Sequence, residues 1–351
     1  MTSTAATKSQ PAETVPIPVG VIGCGRMGRL HARVYGQIPS VRLVGVFDAI
    51  HESAAAVARD FACSAFDSVE DLLDRCSAVS IAVPTSLHLS VAAVCLARRI
   101  PCLIEKPLAA SVAECRQIME LSSRYDTPVQ AGHIERFNPA IVAMQNLGMK
   151  PRFIDVVRVS PMTFRSTDVG VVLDMMIHDI DIVLRLAGDV PRRIEAVGLA
   201  VAGGAEDICN ARLTFPDGCV AAMTASRLAL KTERKLRVFS NDAYVSLNYQ
   251  TRLAQYVTRT AIEQTIAHGR EMLSSGQVRD PGQLDYTKLV QTSTLAIDPV
   301  EPLRAELESF IDTVRAGGQP VVSAEDGLRA VETAQRIVQA VNANPADSPS
   351  F

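Results

Sequence analysis

The chain has 351 residues, 48% of them hydrophobic and 21% charged, with a formal net charge of −3. That composition suits a globular protein with room for about two domains. It provides no basic face for nucleic acid, and 5% aromatic residues without Trp provide no stacking platform for single strands. Residues 1–16, MTSTAATKSQPAETVP, have no apolar core and are expected to form a disordered tail, not a signal peptide. No apolar run is long enough to cross a membrane. The eight cysteines form no C-x-x-C pair, which predicts reduced core thiols in a cytoplasmic protein.

The next stretch alternates apolar runs with helical patterns. Strands are expected at 17–23, 41–47, 78–83, 100–105 and 127–131, with helices at 27–37, 51–60, 87–98 and 111–125. Ser111 and Glu114 form a capping box before the last helix. This alternation predicts an α/β fold beginning with a parallel, Rossmann-type domain over 17–131, with ligands beyond the carboxyl ends of its strands. The first strand runs into Gly23, Gly25 and Gly28, a G-x-G-x-x-G turn that contains Arg26 and Met27. Such glycines permit a tight turn, a pyrophosphate against bare backbone, and close helix packing. Asp48 closes the second strand, where a carboxylate accepts from the ribose hydroxyls of NAD and repels the 2′-phosphate of NADP. No Arg or Lys follows it in Ala49–Glu52, so NAD is the expected cofactor. An N-cap without a ligand is the alternative for Asp48.

After about residue 150 the pattern changes, and 132–351 is expected to be a substrate-binding α/β domain with a large, open, mostly antiparallel sheet. Its strands are expected at 152–159, 192–201, 207–215, 219–226, 234–239 and 243–249, with Pro216-Asp217-Gly218 as a turn and a polar-striped helix at 172–187. Within 251–298 the expectation is a helix near 260–275, a loop at 280–282 and a strand at 289–297. Helices at 302–316 and 324–342 close the chain.

Three features lie where a bound nicotinamide would project. Pro84 and Thr85 follow a strand, with His88 just inside the next helix, as cofactor contacts or as a plain turn. Glu105-Lys106-Pro107 follows an apolar strand, where a charged pair needs a partner or a cleft. The helix VVLDMMIHDIDIVLRLAG puts Asp174, His178, Asp181 and Arg185 on one face. Asp174 can hydrogen-bond His178 across one turn and raise its pKa, as suits a general base; a polar interface stripe is the alternative. Asp174 and His178 supply only two ligands, so no metal site is expected.

Taken in order, the G-x-G-x-x-G turn, Pro84-Thr85-x-x-His88, Glu105-Lys106-Pro107 and Asp174-x-x-x-His178 resemble the Gfo/Idh/MocA oxidoreductases over residues 17–345. The resemblance implies that Lys106, Asp174 and His178 are the catalytic set, acting on a sugar or cyclitol hydroxyl with NAD, in a homo-oligomer (dimer or tetramer). A narrower likeness lies in GHIERFNPA at 132–140, in 160–184 and in 235–250. It points to the bacterial UDP-N-acetylglucosamine 3-dehydrogenases, which oxidise the 3-hydroxyl before an aminotransferase acts in lipid A precursor synthesis. By that likeness Arg136, Arg165, Ser166 and Thr167 are candidates to hold the diphosphate or the N-acetyl sugar. A free-sugar or inositol dehydrogenase and a non-catalytic, NAD-binding sensor are the competing readings.

Overall fold

The computed structural model describes residues 15–163, 169–202, 204–251 and 253–343. Among them, the first sheet is built from β1 (Ile17–Ile22), β2 (Val41–Phe47), β3 (Ser64–Phe66), β4 (Ala78–Ile81), β5 (Cys102–Glu105) and β6 (Val129–Gly132). All neighbours run parallel, in the order β3-β2-β1-β4-β5-β6. The crossovers carry α1 (Arg26–Tyr35), α2 (His51–Asp60), α3 (Val69–Leu73), α4 (His88–Ala97) and α5 (Val112–Tyr125). The expected Rossmann-type sheet is present, with one strand more than expected. β3 has only three residues, too few to show a period. At α5 the Ser111 Oγ accepts from the Glu114 N–H at 3.2 Å, and the Glu114 carboxylate accepts from Ala110 N–H at 3.0 Å. The first bond occupies a donor that the helix start leaves open, and the second ties the helix to the residue before its cap.

The second part opens with α6 (Pro139–Gln145) and β7 (Phe153–Val159), then a π-helical turn (Val172–Met176) that runs into α7 (Ile177–Ala187). It continues through β8 (Arg193–Leu199), β9 (Ile208–Thr214), β10 (Val220–Ser226), β11 (Glu233–Phe239), β12 (Ala243–Asn248) and β13 (Leu253–Thr258). There follow α8 (Arg259–Ser274), α9 (Tyr286–Leu289) and β14 (Ser293–Thr294). The sheet order is β14-β13-β12-β11-β7-β10-β9-β8, antiparallel except for β7 beside β10. In β9, Cys209, Ala211 and Leu213 are buried while Asn210 and Arg212 are exposed, as period-two alternation requires. The strand expected at 289–297 shrinks to the two residues of β14, an exposed edge. The sheet instead takes an unexpected strand, β13, whose Thr258 then caps α8 through Ala261 N–H at 3.2 Å.

Two helices close the chain, α10 (Pro302–Ala316) and α11 (Ala324–Ala343). α11 packs on α5 from the first sheet and on α7 and β8 from the second. One continuous core therefore includes Ile104 and Leu108 together with Ile177, Ile180, Val331 and Ile337. α10, expected with the second domain, lies against α1, and its Leu303, Leu307, Phe310 and Ile311 complete the core around Val19 and Tyr35. The link between the helices also docks on β6, where Ala131 N–H donates to the Val322 carbonyl at 3.0 Å.

Inside that α10 contact sits Glu306, fully buried, with neither carboxylate oxygen hydrogen-bonded among the described residues. Burial, then the charges of Glu105 and Asp181, push its pKa well above the ordinary carboxylate range. The folded chain thus keeps a proton that the unfolded chain releases as pH rises, so this residue lowers stability toward alkaline pH. Glu306→Gln is expected to match the parent near pH 4 and to exceed it by about 1–3 kcal/mol near pH 8, the scale of a buried unsatisfied group. Denaturant titrations across that range check this; parallel stability curves would contradict it.

Candidate active site

The carboxyl ends of β1, β4 and β5 bring three of the sequence features to one edge of the first sheet. At β1 the chain turns through Gly23, whose φ of +95° is the left-handed backbone that glycine favours. A Cβ on Gly28 would stand 1.7 Å from the Gly23 carbonyl, so the start of α1 packs directly on the turn. A Cβ on Gly25 would meet nothing within 4 Å. That open space, in front of the free N–H groups that begin α1, fits a phosphate group. Asp48, half-buried at the end of β2, accepts from Cys24 N–H at 2.6 Å and from Ile50 N–H at 2.8 Å. It ties the glycine turn to the second strand while its surface remains open. The Cys24 thiol beside it is held neutral, pushed up to about 12 by burial, Asp48 and Cys63. Pro84, exposed, and Thr85, half-buried, form the turn after β4.

A cavity of about 690 Å³ opens in front of this edge. Arg26, Met27, Glu105 and Lys106 line it from the first domain, and Asp174, His178, Arg158, Arg227 and Arg234 from the second. Glu105 is anchored from behind: its Oε1 meets His31 Nε2 at 2.9 Å and its Oε2 accepts from Lys106 N–H at 3.2 Å. Burial raises its pKa, but the bond and charge of His31, with Lys106, outweigh that and hold Glu105 below the ordinary range. Lys106 Nζ crosses the cleft, donating to the Asp174 carbonyl at 2.6 Å with the Asp174 carboxylate at 3.4 Å. A larger concavity of about 760 Å³ near Met149 and Tyr256 contains none of the motif residues.

His178 lies beside this pair, but differs from the sequence expectation in two ways. No hydrogen bond joins it to Asp174; its buried Nδ1 has no partner among the described residues, and Asp174 is turned to Lys106 instead. Its pKa is not raised. Burial, then the positive charges of Lys106 and Arg158, push it well below the ordinary histidine value, so the imidazole is neutral at pH 7. The π-helical turn widens the backbone at Asp174, and the expected four-residue stripe divides. Asp174 and His178 line the cavity, Asp181 is buried, and Arg185 is exposed.

Asp181 takes Arg136, which the sequence offered as a candidate to hold substrate. Its guanidinium grips Asp181 in two bonds of 2.7 and 2.8 Å, is buried, and does not line the cavity. His88, a candidate cofactor contact in the sequence, lies against two backbone carbonyls. It is buried, with Nδ1 at 3.0 Å from the Pro107 carbonyl and Nε2 at 3.0 Å from that of Val83, fastening β4 to the Lys106 turn. Arg165, Ser166 and Thr167 lie outside the described residues. Sequence reasoning missed Arg158, Arg227 and Arg234. Each falls in or just after a strand with no motif around it, so only the topology reveals that they converge.

The family model described as the oxidoreductase family, NAD-binding Rossmann fold, matches residues 17–133, and the Gfo/Idh/MocA C-terminal domain model matches 154–246. The chain is 33% identical over 325 residues to a UDP-N-acetylglucosamine 3-dehydrogenase of Acidithiobacillus ferrooxidans, covering 92% of this chain and 97% of the relative. The chain belongs to the Gfo/Idh/MocA oxidoreductase family. A crystal structure of the Acidithiobacillus enzyme superposes with a TM-score of 0.82 at 32% identity, covering 94% of this chain and 99% of that one. An inositol 2-dehydrogenase of Rhizobium meliloti is 25% identical over 337 residues, 92% of this chain and 96% of the relative.

As a Gfo/Idh/MocA member the protein is an oxidoreductase whose cofactor is NAD, and the glycine turn fits it. Gly23, Gly25 and the start of α1 would hold the pyrophosphate, Arg26 and Met27 would flank it, and Asp48 would take the adenosine ribose. Asp48→Ala removes the ribose acceptor and leaves Cys24 N–H without one. It is expected to weaken NAD by about 10- to 100-fold and NADP by less, the scale of a lost charge-assisted bond. NADH and NADPH fluorescence titrations measure this; an equal loss for both would contradict it.

Proposed function

We propose that this protein oxidises the 3-hydroxyl of UDP-N-acetylglucosamine to the 3-keto sugar nucleotide, with NAD as acceptor. The observation that carries the reading is the meeting of Lys106, Asp174 and His178 in one cavity that Arg26 and Met27 of the glycine turn also line. The near full-length similarity to the Acidithiobacillus enzyme supports the substrate. NAD, when bound, supplies the acceptor for the hydride that leaves C3. The neutral His178 imidazole takes the hydroxyl proton, and the Lys106 ammonium donates to the same oxygen as its charge grows. Asp174 holds that ammonium in place. The C–H electron pair and the O–H proton thus leave in opposite directions and a carbonyl remains. Alcohol oxidation by NAD is commonly uphill, so an aminotransferase that consumes the ketone would draw the reaction forward, consistent with a role in lipid A precursor synthesis.

Similarity to an inositol 2-dehydrogenase favours a second reading, oxidation of a free cyclitol or sugar. The experiment is incubation with NAD and UDP-N-acetylglucosamine, with and without a glutamate-dependent aminotransferase, followed by mass spectrometry. The expected products are the 3-keto and 3-amino sugar nucleotides, and His178→Ala is expected to lower kcat by roughly 10²–10⁴. Because His178 is depressed, its acid limb is expected below pH 6.5 and the rate is expected to hold level through pH 7. Rapid NADH formation from myo-inositol, with neither product from the sugar nucleotide, would establish the second reading; no turnover of either would leave a sensor.

A further inference from the structure

We propose that Arg234, at the start of β11, is the anchor for the diphosphate of the substrate. This rests on the sugar-nucleotide reading above. Arg158, Arg227 and Arg234 all line the cavity from the second domain, but the first two are built into its wall. Arg158 donates to both oxygens of Asp179, at 2.6 and 2.8 Å, and to Glu135 at 3.2 Å. Arg227 pairs with Asp207 at 2.9 Å and donates to the Val169 carbonyl at 2.6 Å. Arg234 is exposed to the cleft, and among the described residues its guanidinium has no hydrogen bond or ion pair.

Glu135 and Asp179 lie near enough to favour the charged form of Arg234, but both are bonded to Arg158. Glu135 is taken by Arg158, Asp174 by Lys106, and Glu105 by His31. The sheet register makes the position worse, since Arg234 stands directly opposite Arg158 on β7. Like charges facing across a strand pair repel, and burial with Arg158 pulls the pKa of Arg234 down. An anion seated on Arg234 offsets the repulsion from Arg158. A guanidinium offers paired donors that match phosphate oxygens, and Ser160 and Thr163 bring hydroxyls to the same cavity. The reacting hydroxyl belongs to Lys106 and His178, so the anchor grips the part of the substrate that does not react. Binding energy from such a remote group serves to orient the sugar ring.

The test compares the parent protein with Arg234→Gln and Arg234→Lys. UDP binding is measured by calorimetry, NADH binding by fluorescence, and UDP-N-acetylglucosamine oxidation by steady-state kinetics. Arg234→Gln is expected to weaken UDP and raise KM by about 10- to 100-fold, the scale of a lost charge-assisted bond, with a much smaller change in kcat. Arg234→Lys, which keeps the charge without the planar fork, is expected to recover part of the loss. Unchanged NADH affinity shows that the variants are folded. Equal UDP affinity and equal KM in parent and Arg234→Gln would overturn the anchor while the sugar-nucleotide reading stands. A parent that neither binds UDP nor oxidises the sugar nucleotide would overturn both.

Discussion

The contact between Lys106 and Asp174 is the constraint around which the rest of the molecule is arranged. It joins the end of a strand in the first sheet to a π-helical turn of the second domain, across 68 residues of sequence. Lys106 donates to a backbone carbonyl as well as to the carboxylate, so the pairing depends on backbone placement and not only on a flexible side chain. A short polar contact at a cleft does not hold two domains together by itself, because water competes for it. The geometry must come from packing.

That packing is the shared core. α11 rests on helices of both domains, and the link before it adds to the edge of β6. Buried ion pairs then fix the segments nearest the site. Arg136 with Asp181, and Arg158 with Asp179, tie the Gly132–Asn138 stretch and β7 to α7. Removing one partner of such a pair leaves an uncompensated buried charge, at about 3–5 kcal/mol. These pairs therefore specify how α7 sits, and with it the positions of Asp174 and His178. The low pKa of His178 follows from the same arrangement, through its burial first and then the charges of Lys106 and Arg158.

The amino-acid sequence carried much of this in local form. The strand, glycine turn and helix at 17–35 are legible because each glycine answers a local backbone demand, and β9 is legible from its alternation. Local patterns failed where the deciding partner is remote. Arg136 pairs with Asp181, 45 residues away, which no local pattern shows. His88 meets the carbonyl of Pro107, 19 residues on, which no local pattern shows either. The helical stripe at 174–185 assumed an even α-helical pitch, which the π-helical turn breaks. β13 has no counterpart in the sequence reading and β14 is far shorter than the strand expected at 289–297, because pairing near the sheet edge, more than their own periodicity, decides them.

The central claim is that Lys106, Asp174 and His178 direct hydride loss from C3 of the N-acetylglucosamine ring. UDP-N-acetylglucosamine carrying deuterium only at C3 tests it most directly. The account predicts that the deuterium is transferred to the reduced cofactor and that single turnover slows relative to unlabelled substrate. Reduced cofactor formed without deuterium, or formation only from substrates lacking the nucleotide, would contradict it.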